Sequence, residues 1–140
     1  MKILKTLGVL FCAMFFMGVA FAQTSDIVVK GAWVRASNTK TSAAYMKIKN
    51  KSKNDIVFLS ASSDVASIVE LHKTVTENNV SQMVPINKLV VPAQDKVVME
   101  PKGLHIMLIG LKRALTKGEH VPITLHFEGM KSITINAEVK

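Results

Sequence analysis

His105 and Met107 stand two positions apart in the run Leu104-His105-Ile106-Met107-Leu108-Ile109, and the period of a β-strand puts both side chains on one face. An imidazole beside a thioether is a donor pair for copper: thioether sulfur is soft, uncharged and favours the monovalent ion, while imidazole tolerates both oxidation states. A lone His-x-Met carries little weight, because 4 His and 8 Met in 140 residues would produce one by chance in roughly one such chain in five. Upstream, however, His72 and Met83 lie eleven positions apart, and Met83 precedes His105 by twenty-two. Two His and two Met thus fall in three short segments, a set suited to Cu(I) if the fold brings them together.

The elements that must do so read as strands. From Ile27 onward, short runs of β-branched and aliphatic residues alternate with turn clusters, the pattern of an all-β sandwich or barrel in a single domain. The expected strands are 27–33, 43–50, 55–62, 67–76, 80–85, 89–91, 96–99, 105–111, 120–127 and 132–139, separated by Gly-, Pro- and Asn-rich turns such as Pro92-Ala93-Gln94-Asp95 and Pro101-Lys102-Gly103. In the run after Gly103, Leu104, Ile106 and Leu108 share the face opposite His105 and Met107. His72 shares a face with Ile68 and Glu70. Glu77-Asn78-Asn79 reads as a hairpin turn that returns the chain so that Met83 lies opposite the His72 segment, making the two cross-strand neighbours.

Composition narrows the function classes. Met1-Lys2-Ile3-Leu4-Lys5, an apolar run from Leu7 to Gly18 and Ala20-Phe21-Ala22 form the three parts of a secretory signal peptide. Cleavage is expected after Ala22, leaving 23–140 as one mature domain with no transmembrane segment, and the protein is expected in the periplasm. Cys12 lies inside the apolar run behind Phe11, where lipoprotein processing would need a small residue. Cys12 is also the single cysteine, so the mature domain has no thiolate nucleophile, no dithiol redox pair and no blue-copper sulfur. The net charge of +8 falls to about +6 with loss of Lys2 and Lys5. Its lysines, as in Lys47-Ile48-Lys49-Asn50-Lys51-Ser52-Lys53-Asn54, read as a solvated loop face without the aromatic interleaving of a nucleic-acid surface. Steering toward an acidic partner or an anionic membrane is the functional alternative for that run.

Each candidate ligand also has an ordinary role. Met83 reads equally as a core gap filler, and His72 and His105 as hydrogen-bonded boundary histidines. Glu70 could pair with a lysine, orient His72 or simply be solvated, the last being the first expectation. Met46, Met99 and Met130 lack a His at close spacing and read as core or surface residues, and His120 and His126 read as structural. Trp33 reads as a core anchor; Arg35 could pair with a carboxylate or meet a partner. Zinc is a poor second metal, since the spacing matches no zinc signature.

The full spacing, His72-x10-Met83-x21-His105-x-Met107, resembles the signature of the PCuAC family of periplasmic copper chaperones. Ala32-Trp33-Val34-Arg35, Ala43-Ala44-Tyr45-Met46, Val69-Glu70-Leu71-His72, Gly103 to Leu108 and Leu111 to Phe127 resemble that family's blocks, across essentially the whole mature chain. The resemblance implies a cupredoxin-like Greek-key β-barrel, Cu(I) held at an exposed site by His72, Met83, His105 and Met107, and copper delivery toward cytochrome oxidase. Lys73 and Thr74 follow His72, where some members carry an extra Met, and the chain stops at Asn136-Ala137-Glu138-Val139-Lys140, where some carry a His- and Met-rich tail. One Cu(I) ion per chain is therefore expected, in a monomer whose partner is a copper acceptor protein. The competing classes are copper storage or resistance, a noncatalytic Ig-like adhesion or assembly module, and third an enzyme, for which no nucleophile elbow or phosphate loop is visible.

Overall fold

Alternation along Thr41–Asn50 shows how the sequence builds its sheet: Ala44, Met46, Ile48 and Asn50 turn inward and are 0–2% exposed, while Lys47 and Lys49 face water. A computed structural model describes residues 26–140. The expected signal segment 1–22, its cleavage position and Cys12 lie outside the described residues. The elements are β1 (Ile27–Val34), β2 (Thr41–Asn50), β3 (Ile56–Ser62), β4 (Ala66–Glu77), β5 (Val80–Pro85), β6 (Leu89–Val91), β7 (Lys96–Val98), β8 (Leu104–Leu111), β9 (His120–Phe127) and β10 (Ile133–Val139). All are strands, as the sequence pattern predicts, with bounds within about two residues of those expected.

They form one sheet in the order β5-β4-β8-β2-β1-β10-β9-β3-β6, with β7 pairing β2 beyond the end of β8. The β1–β10 pair is parallel and the other pairs are antiparallel. Inward residues from both halves meet in one core that includes Phe58, Met46, Ile48, Ile106, Leu108, Ile123 and Leu125. Complete burial of each such side chain contributes about 1.5–3 kcal/mol. Phe58 of β3 and Phe127 of β9 place their rings 5.3 Å apart. Asn50 is fully buried and fully engaged: its amide donates to Asn54 O and Val91 O, and its carbonyl accepts from Ser52 N and Ser52 Oγ. The basic run 47–54 is therefore part strand and part anchored turn, not the simple solvated loop expected.

Two backbone features prepare the site. Asn78 and Asn79 take φ of 50° and 63°, the left-handed pair that a two-residue hairpin turn requires and that Asn tolerates. Glu77 pairs with Val80, so the turn is two residues long, not three. Between Lys30 and Trp33 the β1–β2 register shifts by one residue at Gly31, whose φ is 62°. This bulge re-aims the strand and puts Trp33 opposite Tyr45 on the outer face.

Candidate metal centre

β4 is the shared strand of the site. It pairs β8 on one side, setting His72 directly opposite His105 and Glu70 opposite Met107. On its other side it pairs β5, setting Thr74 opposite Met83 and His72 opposite Pro85. Met83 is therefore a diagonal neighbour of His72, two residues further along than direct opposition, yet on the same face. A three-residue turn would have slipped the register by one and turned Met83 to the other face. The four candidate residues share one outer face of β5, β4 and β8.

The opposite face is apolar. Leu71 pairs with Ile106 and Val69 with Leu108, and Ile106 and Leu108 are fully buried in the core, which fixes the facing of His105 and Met107. His105 is 2% exposed and His72 8%, whereas Met83, on the edge strand β5, is 57% exposed. The two imidazoles lie 5.8 Å apart, centroid to centroid.

Each imidazole is held at one nitrogen and bare at the other. His72 Nε2 lies 2.7 Å from Glu70 Oε2, and since a carboxylate accepts, the ring N–H donates. His105 Nδ1 donates to Gly103 O at 3.1 Å. In the neutral rings this leaves lone pairs on His72 Nδ1 and His105 Nε2. Both of these atoms are buried and have no hydrogen-bond partner. A buried unsatisfied polar atom costs about 1–3 kcal/mol and calls for a cause. Two on one face, each with its ring fixed from behind, offer two nitrogen donors that could hold a metal, with Glu70 and a backbone carbonyl as the groups orienting the rings. Glu70 is thus engaged with His72, a correction to its expected solvation. The turn Glu100–Gly103, closed by Gly103 N donating to Glu100 O at 3.0 Å, fixes the carbonyl that orients His105.

An aromatic wall bounds the site on the β2 side. Tyr45 is 4% exposed although it faces outward. Its ring centroid lies 6.3 Å from that of His105 and 4.6 Å from that of Trp33, and the Arg35 guanidinium sits 5.7 Å from its centre. Trp33 is half-buried and outside the core cluster, which corrects its expected role as core anchor: the Gly31 bulge moved it. Arg35 stacks on Tyr45. Sequence reasoning passed over Tyr45, although its parity with Ala43 and Lys47 on β2 was available as a signal.

Among the described residues, the other His and Met side chains stay apart from the site. His126 bonds Ser62 Oγ and Ser132 Oγ; His120 is exposed. Met46 and Met99 are buried in the core, and Met130 packs against it. Among the described residues no group of three His, Cys, Asp or Glu side chains is placed to hold a metal. A metal held at His72 and His105 would therefore draw its further side-chain donors from thioethers, which favours a soft ion over zinc.

A family model described as "Putative lipoprotein LpqE-like" matches residues 27–139. A protein of Leifsonia xyli subsp. xyli, named as a lipoprotein of that tentative kind, is 33% identical over 119 residues, covering 84% of this chain and 72% of that one. The solution structures of apo and Cu(I) DR1885 from Deinococcus radiodurans are 34% identical, cover 85% of this chain and 81% of theirs, and superpose with a TM-score of 0.65. The copper-bound PCuAC domain from PmoF2, 22% identical, covers 83% and 93% respectively with a TM-score of 0.71 and shows the same fold. This chain belongs to the LpqE-like family and has the cupredoxin-like β fold of the PCuAC domains.

Proposed function

We propose that this chain is an exported, noncatalytic copper carrier that binds one Cu(I) through His72 Nδ1, His105 Nε2 and the thioethers of Met83 and Met107. The observation that carries this reading is the pair of buried, unpartnered ring nitrogens on one face, alongside two methionines brought to that face by strand register. A donor set of two neutral nitrogens and two neutral sulfurs suits a monovalent soft ion that must later leave. The Cu(I) form of the 34% identical DR1885 supports the metal and its oxidation state. The lipoprotein names of the relatives support export, and with the signal-like segment 1–22 they support a periplasmic mature domain, 23–140.

Transfer proceeds by ligand exchange. The imidazoles are recessed and held from behind, whereas Met83 sits exposed on an edge strand, so its thioether is the first ligand that an acceptor displaces. The chain acts as a monomer, and its acceptor is a copper protein of the cytochrome oxidase pathway. Titration of the mature protein with Cu(I) against a chromophoric chelator tests the core of this reading. One equivalent should bind, and H105A/M107A should lose it while keeping its β-sheet circular dichroism. Unchanged affinity in that variant, or a stoichiometry well above one, contradicts the site. Mixing Cu(I)-loaded protein with an apo oxidase copper subunit tests the destination: absence of transfer rejects the acceptor and leaves the site standing.

A further inference from the structure

The outer face of β1, β2 and β7 carries a charge pattern that folding does not favour. Lys30 lies directly opposite Lys47, and Lys49 directly opposite Lys96. Lys47 and Lys49 are successive outward positions of β2, so the four ammonium groups form a two-rung ladder. All four are exposed, and none pairs with a carboxylate; among the described residues the Lys/Arg–carboxylate pair is Arg113–Glu119. Like charges directly opposite on a sheet are destabilising, and a face needing only solvation would mix signs. Nearby acids do not neutralise the ladder. Asp95 accepts from the Lys96 backbone N–H, and Glu100 is a single carboxylate at the groove described next.

Beside the ladder the Gly31 bulge opens a groove of about 330 Å³ lined by Lys30, Trp33, Lys47, Val98, Glu100 and Pro101. Its floor and far wall are apolar and its near rim cationic, with room for one or two side chains. The groove adjoins the metal centre through a short aromatic bridge: Trp33 lies 4.6 Å from Tyr45, and Tyr45 lies 6.3 Å from His105. We propose that this face docks an acidic segment of the copper acceptor protein, with one apolar side chain of that segment seated in the groove against Trp33. The occupant's class follows from position. The groove lies beside the site on the same outer face, and an acceptor protein can take Cu(I) where a lipid surface cannot. The lysines supply steering and register and the groove supplies the anchor. This inference rests on the carrier reading for the identity of the partner, not for the existence of the surface.

The test uses a capped heptapeptide of six glutamates around a central leucine, titrated into the mature protein. Binding is read by the emission of Trp33, the chain's single tryptophan, and by amide shifts at Lys30, Lys47, Lys49 and Lys96. The expected result is saturable binding that K47E/K49E weakens at least tenfold. K112E/K117E changes net charge equally in the loop after β8 and should bind within twofold of the parent. Equal weakening by both variants, or binding that leaves Trp33 unmoved, overturns the proposal. So does ladder-dependent binding to phosphatidylcholine vesicles containing 30% phosphatidylglycerol with no binding of the peptide, which would assign the face to a membrane. Chelator competition separates this outcome from the carrier reading: K47E/K49E should hold Cu(I) as tightly as the parent, and failure of the parent to hold Cu(I) would reject the carrier while leaving the peptide result intact.

Discussion

The four histidines divide between two regions that treat the same side chain differently. On β9, His126 has both ring nitrogens engaged, by Ser62 Oγ at 3.1 Å and Ser132 Oγ at 2.8 Å, and His120 stands in water. On β4 and β8, His72 and His105 are buried more deeply, yet each keeps one nitrogen bare. Burial usually comes with satisfaction; here it comes without. Two rings fixed at one nitrogen and left open at the other carry a cost of about 1–3 kcal/mol each, which a bound metal would remove. The contrast shows that the mark of the candidate site is the pairing of burial with an unfilled valence, not the presence of histidine.

The strongest way to break the contrast is to exchange fates. His105→Phe should lower Cu(I) affinity by more than about 100-fold, beyond the range of outer-shell changes. Its apo stability should hold or rise by about 1 kcal/mol, because an orphan nitrogen is replaced by carbon. His126→Phe should do the reverse, leaving Cu(I) affinity within twofold and lowering stability by about 1 kcal/mol through two lost hydrogen bonds. Chelator competition and urea unfolding measure both. A copper loss in His126→Phe equal to that in His105→Phe would dissolve the distinction.

A finer test concerns what holds the bare nitrogen in place. Glu70→Ala should weaken Cu(I) binding by about 10-fold or more, the range found when a metal-binding imidazole loses its outer partner. Glu70→Gln, which can still accept from His72 Nε2 through its amide oxygen, should recover most of that loss. If Ala and Gln behave alike, the carboxylate acts by charge and not by orientation.

The smallest effect sets Glu70 against a carboxylate with a purely structural duty. Glu119 accepts from the Thr116 backbone N–H at 2.9 Å and pairs with Arg113. The Thr116 hydrogen bond, then that with Arg113, holds its carboxyl below the usual 4.5. With the folded value depressed, the unfolded chain binds more protons between the two values. The stabilisation is therefore present above about pH 4.5 and lost as pH falls through the lower folded value. Glu119→Gln should lower the melting temperature slightly at pH 7, with the gap closing in acid, and should leave Cu(I) binding unchanged.

Much of the site was legible in sequence because it depends on parity. The strand expected over 105–111, observed as Leu104–Leu111, and its two faces follow from alternation, and so does the apolar backing of His105 and Met107. What escaped were features controlled by one residue of backbone. The length of the turn at Asn78 and Asn79 decides where Met83 falls, and Glu77 looks like a turn residue although it pairs with Val80. The bulge at Gly31 moves Trp33 out of the core, and nothing in Lys30-Gly31-Ala32-Trp33 announces it beyond the glycine itself. The lysine ladder was not legible for the same reason: strand register, not composition, sets Lys30 against Lys47 and Lys49 against Lys96.

Copper is proposed to bind where the two imidazoles are bare, on the face that Met83 and Met107 share with them. X-ray absorption of the Cu(I)-loaded mature protein tests it most directly. The account predicts a monovalent edge and a first shell of both nitrogen and sulfur, two of each, with the sulfur signal halved in Met107→Ala. A shell of oxygen and nitrogen without sulfur, or a sulfur signal indifferent to Met107, would contradict it.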